Sequence, residues 1–170
     1  CITAMPAVAL ADQPDTDIVC GTAESERQDA AADRPDISAL HAIVVGKDGT
    51  VYYERAADEQ VKIASITKVM TAIVALDNAP LDTTITVDHA AATVGQSSAD
   101  LKEGDTMTLE TALRALLIPS GNDAGMAIAH SVGAIIDPSS DDPYGVFIDA
   151  MNKKAQELGM DSKFTNPHGL

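Results

Sequence analysis

The run Asp123–Ile136, DAGMAIAHSVGAII, constrains the fold more than any other stretch of the chain. It is apolar or small on nearly every side, with Ala124, Gly125, Met126, Ala127, Ile128 and Ala129 in succession. A helix without a polar face has to be enclosed by other elements, so this one is expected inside a helical domain. The flanking patterns supply its neighbours. Leu109, Ala112, Leu113, Leu116 and Leu117 stripe a preceding helix with Thr108 as its N-cap. Phe147, Met151, Ala155 and Leu158 stripe a last helix, which Gly159 ends. Pro119 interrupts the chain before the central helix, and Ser120-Gly121-Asn122-Asp123 supplies the turn.

Strand patterns come earlier in the sequence. ALHAIVVG (Ala39–Gly46) is a continuous apolar run, Lys47-Asp48-Gly49 has turn chemistry, and TVYYER (Thr50–Arg55) follows. This predicts a β-hairpin whose first strand is buried on both faces. TTITVD (Thr83–Asp88) alternates like a short strand, and residues 89–104 read as a long irregular connection. A hairpin followed by helices is an α+β arrangement. Two strands cover few helices and are marginal alone. Further sheet strands are therefore expected beyond Leu170, and the hairpin is expected to present an unpaired apolar edge.

Charge removes several functional classes. The 170 residues carry a formal net charge of −15, which opposes binding to nucleic-acid phosphates and docking on anionic lipid. Part of that charge is local, because residues 1–36 hold eight acids against two bases. Residues 12–36 are rich in Asp and Ala, hold few large apolar residues, and read as an acidic flexible linker. Residues 1–11, CITAMPAVALA, are uncharged and end in an A-x-A pattern, as does the tail of a secretory signal peptide. A buried N-terminal strand and a lipidated Cys1 are the alternatives. No other run is apolar for long enough to span a bilayer. Cys1 and Cys20 make neither a disulfide framework nor a zinc pattern, and His41, His89, His130 and His168 lack metal spacing. No metal and no cofactor is expected.

IASITKVMTAIVALD (Ile63–Asp77) reads as a helix from about Ser65 to Leu76, with Ile66, Val69, Met70, Ile73 and Val74 as its core stripe. Ser65 and Lys68 stand at its start, one turn apart on one face. On a helical wheel Lys68 lies about 300° from Ser65, among Ala64, Ala72 and Ala75 at about 260°, 340° and 280°. Small neighbours allow another element to approach and desolvate the amine, which lowers its pKa. A neutral amine beside a hydroxyl can take its proton. The alternative is an N-capping serine and a surface lysine whose stem covers alanines. Ser120-Gly121-Asn122 is the second element. By itself it is a helix-breaking turn with capping residues.

The order S-x-x-K then S-G-N is the signature of penicillin-binding proteins and serine β-lactamases. ASITKVMTAIVALD, LKEGDTMTLETALRALLIPSGNDA, MNKKAQELGM and FTNPHGL together resemble the D-alanyl-D-alanine carboxypeptidases, the low-molecular-mass penicillin-binding proteins, from about Ala39 to Leu170. The resemblance implies a β-lactamase/penicillin-binding-protein-like fold, with residues 37–170 as an incomplete catalytic domain. It implies Ser65 as acylated nucleophile, Lys68 as general base, Ser120 as proton shuttle and Asn122 as a substrate or lysine contact. Peptidoglycan pentapeptide stems are the implied substrate, β-lactam antibiotics the implied covalent inhibitors, and the cell wall outside the cytoplasm the implied location. The family's third motif, K-T-G, is not in the chain; Lys47-Asp48-Gly49 precedes Ser65 in a hairpin turn. The strand that carries K-T-G is expected after Leu170. A β-lactamase and a non-catalytic penicillin-binding-like fragment are the alternative functions.

Overall fold

The computed structural model describes residues 37–170, together with the backbone strands Ile18–Val19 (β1) and Thr22–Ala23 (β2). The apolar run 1–11 and both cysteines lie outside the described residues. The chain divides into two compact units, Cys1–Glu59 and Gln60–Leu170.

The first unit is one antiparallel sheet in the order β2-β1-β4-β3, where β3 is Ala42–Val45 and β4 is Val51–Arg55. The hairpin turn falls at Lys47-Asp48-Gly49, closed by Gly46 N–H to Thr50 O at 2.8 Å and by Thr50 N–H to the Asp48 carboxylate at 3.1 Å. The first strand is not buried on both faces. Ile43, Val44 and Val45 are about half exposed, and no described residues pair with the outer edge of β3. That edge is the unpaired apolar one anticipated above. The other flank of the hairpin is covered, since Ile18 and Val19 pair with Glu54 and Tyr53. Part of the segment expected as a linker therefore joins the sheet.

The second unit is helical. A 3-10 turn, Ala64–Ile66, leads into α1, Thr67–Asn78. Then follow β5 (Thr84–Thr86), α2 (His89–Thr93), β6 (Thr106–Thr108), α3 (Leu109–Leu117), α4 (Asn122–Ile136) and α5 (Pro143–Glu157). The stretch 89–104 is less irregular than its composition suggests. Asp88 caps the short α2 by accepting from Ala91 N–H, and β6 pairs antiparallel with β5. As its composition requires, α4 is the hub; it packs on α1, α2, α3, α5 and β5. Gly133 permits the tightest of these contacts, because a Cβ there would stand 1.8 Å from Pro143 O at the start of α5. His130, in the middle of this helix, pairs with the Asp88 carboxylate and meets the Tyr144 ring edge-on at 5.4 Å.

The core gathers Met70, Val74, Ile85, Leu109, Leu116, Ile128, Phe147 and Met151 with many alanines. Thr108 caps α3 as expected, and Leu109, Ala112, Leu113 and Leu116 are buried, while Leu117 at the helix end is not. Leu158, expected to continue the α5 stripe, is exposed as the C-cap.

The stripe assigned to α1 needs correction. Met70 and Val74 are buried, but Ile66 and Val69 are 67% and 52% exposed. The buried face is Thr67, Lys68, Met70, Thr71, Ala72, Val74 and Ala75, so the helix is rotated toward its polar residues. The physical reason is that Lys68 and Thr71 find fixed acceptors inside, which offset the cost of removing them from water.

Candidate active site

Ser65 is not inside the helix. It occupies the exposed 3-10 turn just before α1, behind Ala64, whose φ of +47° is unusual for a residue with a Cβ. Lys68, one turn on, is only 2% exposed. Three oxygens surround its Nζ. It donates to Ser65 Oγ at 3.0 Å, to Asn122 Oδ1 at 2.8 Å and to the backbone carbonyl of His168 at 3.0 Å. An ammonium has three N–H groups, so all three are used.

This environment lowers the Lys68 pKa. Burial pushes it down, and the Asp123 carboxylate pulls it part of the way back. The arrangement then has a chemical consequence. Asn122 Oδ1 and His168 O are carbonyl oxygens that can only accept. They claim both N–H groups of a neutral amine, and its lone pair is left for Ser65 O–H. The same site thus holds the ammonium with three acceptors and the amine with two acceptors and one donor.

Each partner is itself fixed. Asn122 opens α4 and is 2% exposed. Its Nδ2 donates to Gly95 O at 3.1 Å and its backbone N–H to Ser97 O at 2.8 Å, which settles the side-chain amide with Oδ1 on the lysine. The His168 carbonyl is aimed by the Asn166–Leu170 turn. Asn166 Oδ1 accepts from His168 N–H at 3.1 Å and Gly169 N–H at 2.6 Å, an Asx-type turn. Asn152 holds the start of this segment by pairing with both backbone groups of Phe164. The His168 ring is buried and accepts from Leu170 N–H; burial, then the Lys68 charge, pushes its pKa down.

Thr71 anchors the same turn one helical step below Lys68, donating to Pro167 O at 2.7 Å. Thr71→Val keeps the shape but leaves that buried carbonyl without a donor. It should cost about 1–3 kcal/mol, read as a lower urea midpoint with an unchanged m-value.

Ser120 stands apart from this network. It is half-buried at the start of the Ser-Gly-Asn turn with φ +61°, and among the described residues its side chain makes no hydrogen bond. Ser65, Lys68 and Asn122 are joined; Ser120 is their neighbour through Gly121. Among the described residues no group of His, Cys, Asp and Glu could hold a metal ion, and no helix is long and apolar enough to cross a membrane.

Sequence reasoning missed two parts of this site. One is the Pro167 and His168 carbonyls, which contribute backbone and so carry no side-chain signal. The other is the loop 95–101 against the Ser-Gly-Asn turn. Asp123, read there as a loop or capping residue, is 2% exposed and binds that loop.

Comparisons with known proteins give the family and the fold. The sequence matches the D-alanyl-D-alanine carboxypeptidase family, peptidase S11, over residues 28–170. It is 37% identical over 140 residues to D-alanyl-D-alanine carboxypeptidase DacF of Bacillus subtilis, covering 78% of this chain and 34% of that protein. It is 33% identical over 137 residues to the D-alanyl-D-alanine carboxypeptidase of Streptomyces sp. strain K15, covering 76% of this chain and 46% of the relative. The crystal structure of the Streptomyces K15 DD-transpeptidase superposes with a TM-score of 0.72 at 33% identity, over 80% of this chain and 54% of that one. The chain thus spans less than half the length of these two curated relatives, while the family match over residues 28–170 takes in the hairpin and the Lys68 network. From that match and that fold, the chain belongs to the D-alanyl-D-alanine carboxypeptidase family, peptidase S11.

Proposed function

We propose that the protein is a serine-type D-Ala-D-Ala carboxypeptidase, acting on peptidoglycan stem peptides through an acyl-enzyme on Ser65. One observation carries this reading: a buried lysine within hydrogen-bond distance of an exposed serine hydroxyl, its other two donors held by fixed carbonyl oxygens. A serine hydroxyl is a weak nucleophile until an adjacent base accepts its proton.

In this reading neutral Lys68 takes the Ser65 proton as Oγ attacks the carbonyl of the penultimate D-Ala. The tetrahedral oxyanion rests on the Ser65 backbone N–H and on a second donor from the strand implied by the family's K-T-G motif. The C–N bond to the terminal D-Ala then breaks, and the proton held by Lys68 passes through Ser120 to the leaving amine. Water, deprotonated by the same lysine, hydrolyses the ester and regenerates Ser65. Asn122 keeps Lys68 in register through the cycle and faces the substrate. Penicillins acylate the same serine, because their strained amide presents an equivalent carbonyl. The substrate lies outside the cytoplasm, which agrees with the signal-like pattern of residues 1–11, so the protein works in the secreted or periplasmic cell-wall compartment.

The test is chemical trapping. The full-length protein is exposed to benzylpenicillin, digested, and mapped by mass spectrometry, with D-Ala release from a pentapeptide measured in parallel. The expected result is one penicilloyl group on Ser65 and stoichiometric D-Ala release. Fast hydrolysis of the β-lactam with no release of D-Ala would make the protein a β-lactamase. No adduct and no release would make it a non-catalytic relative.

A further inference from the structure

The residue that follows the Ser-Gly-Asn turn has more partners than a capping role requires. One oxygen of the Asp123 carboxylate, Oδ1, accepts from its neighbour Ala124 N–H at 2.8 Å and from Ala99 N–H at 3.0 Å. The other, Oδ2, accepts from Ser98 Oγ at 2.6 Å, Ala99 N–H at 2.9 Å and Leu101 N–H at 3.1 Å. Three of the four donor groups belong to the loop 97–101, some 22–25 residues back in the chain.

That loop needs holding. Gln96 and Asp100 both have φ near +60°, a region that residues with a Cβ rarely adopt and that persists where the surroundings over-determine it. The loop then returns its support to the site. Ser97 O accepts from Asn122 N–H, Gly95 O accepts from Asn122 Nδ2, and Ser97 Oγ donates to Pro119 O at 3.0 Å beside Ser120. So the carboxylate of residue 123 grips the loop, and the loop grips residue 122 on both its backbone and its amide.

We propose that Asp123 is a positioning residue for the Ser65–Lys68 pair, acting through the loop 95–101 on Asn122. This rests on the serine acyl-transfer reading given above. The carboxylate does two things at once. It sets where Asn122 Oδ1 meets Lys68 Nζ, and it lies close enough to Lys68 to favour its charged form. The ionisable groups that face Lys68 are Asp123 from α4 and His168 from the 166–170 turn. Asp123 stays ionised despite burial, because burial pushes its pKa up while the hydrogen bonds from Ser98, Ala99, Leu101 and Ala124 outweigh it and hold it below the usual carboxylate range.

The experiment uses the full-length protein and Asp123→Asn, with acylation by benzylpenicillin followed by intact mass across a pH series. Amide hydrogen exchange at Ala99 and Leu101 is measured on the same samples. The expected result is acylation slowed tenfold or more and faster exchange at both amides. The rise of rate with pH should also shift to lower pH, because Lys68 has lost the anion that favours its ammonium. Ser98→Ala, which keeps the charge and removes one donor, should slow acylation severalfold and speed exchange at Ala99, with the pH dependence in place. It stands in if Asp123→Asn does not fold. Wild-type acylation rate and exchange in either variant would overturn the proposal. So would a rate that falls only in proportion to lost folded protein, with the pH dependence unmoved. Failure of the wild type itself to acylate would instead remove the serine reading, and the exchange rates would still decide whether Asp123 holds the loop.

Discussion

Lys68→Met is expected to slow acylation of Ser65 by about 10²–10⁴-fold, the usual contribution of a positioned general base. Methionine fills much of the lysine volume without a charge, so the α1 packing is kept while Asn122 Oδ1 and His168 O lose their donor. The pH dependence separates this from simple misfolding. In the wild type the rate rises with pH as Lys68 loses its proton, and burial places that rise below the ordinary lysine range. In the variant this rise should vanish. Stability carries a second imprint of the same group, in the same direction. The folded Lys68 gives up its proton at lower pH than the unfolded chain does. Between those two values the unfolded state binds more protons, and wild-type stability climbs with pH. The Met variant should lack that slope. A time course of penicilloyl adduct mass across the pH series reads the first effect, and urea midpoints at the same pH values read the second. Wild-type acylation in the Met variant would remove Lys68 from the base role.

Gly169→Ala should be the most damaging single methyl group near the site. Gly169 has φ +87°, and a Cβ built on it would lie 1.9 Å from Ala64 O and 2.3 Å from Ala64 C. Left-handed strain and forced overpacking together cost about 2–5 kcal/mol. The chain can relieve the clash only by moving the 166–170 turn or Ala64. The first withdraws the His168 carbonyl from Lys68, and the second displaces Ser65, the next residue. Both weaken acylation in the molecules that remain folded. The expected outcome is a lower thermal midpoint together with a lower acylation rate per folded molecule, measured by calorimetry and adduct mass. A variant with wild-type values of both would mean that the turn and the 3-10 segment are not in rigid contact.

The Ser65–Lys68 pair was legible because it breaks a helix pattern, and Ser120-Gly121-Asn122 was legible as a turn between two apolar helices. What could not be read was the direction each faces. The α1 periodicity fits a stripe through Ile66 and Val69 as well as one through Met70 and Val74. Only acceptors contributed from residues 122, 167 and 168 make the lysine face the buried one. The strand β6 and the helix α2 were hidden for a related reason. Each is short, and β6 exists because its partner β5 lies opposite, not because of any strong local propensity. Ser120 shows the converse. Its motif is plain in the sequence, yet its side chain is held by no described neighbour.

Binary pattern and spacing alone determined that α4 is central, that α3 ends before Pro119, that Lys47-Asp48-Gly49 is a hairpin turn, and that one hydroxyl and one amine stand at the start of a helix. These are local or periodic properties, written in contiguous residues. The tertiary structure decided what makes the pair a site. It buries the amine, supplies the Asn122 and His168 oxygens from 54 and 100 residues away, and ties Asn122 to a distant loop through Asp123. Hydrogen bonds and desolvation depend on atoms that meet only when the chain is folded, so the chemistry of Lys68 belongs to the fold and not to its motif.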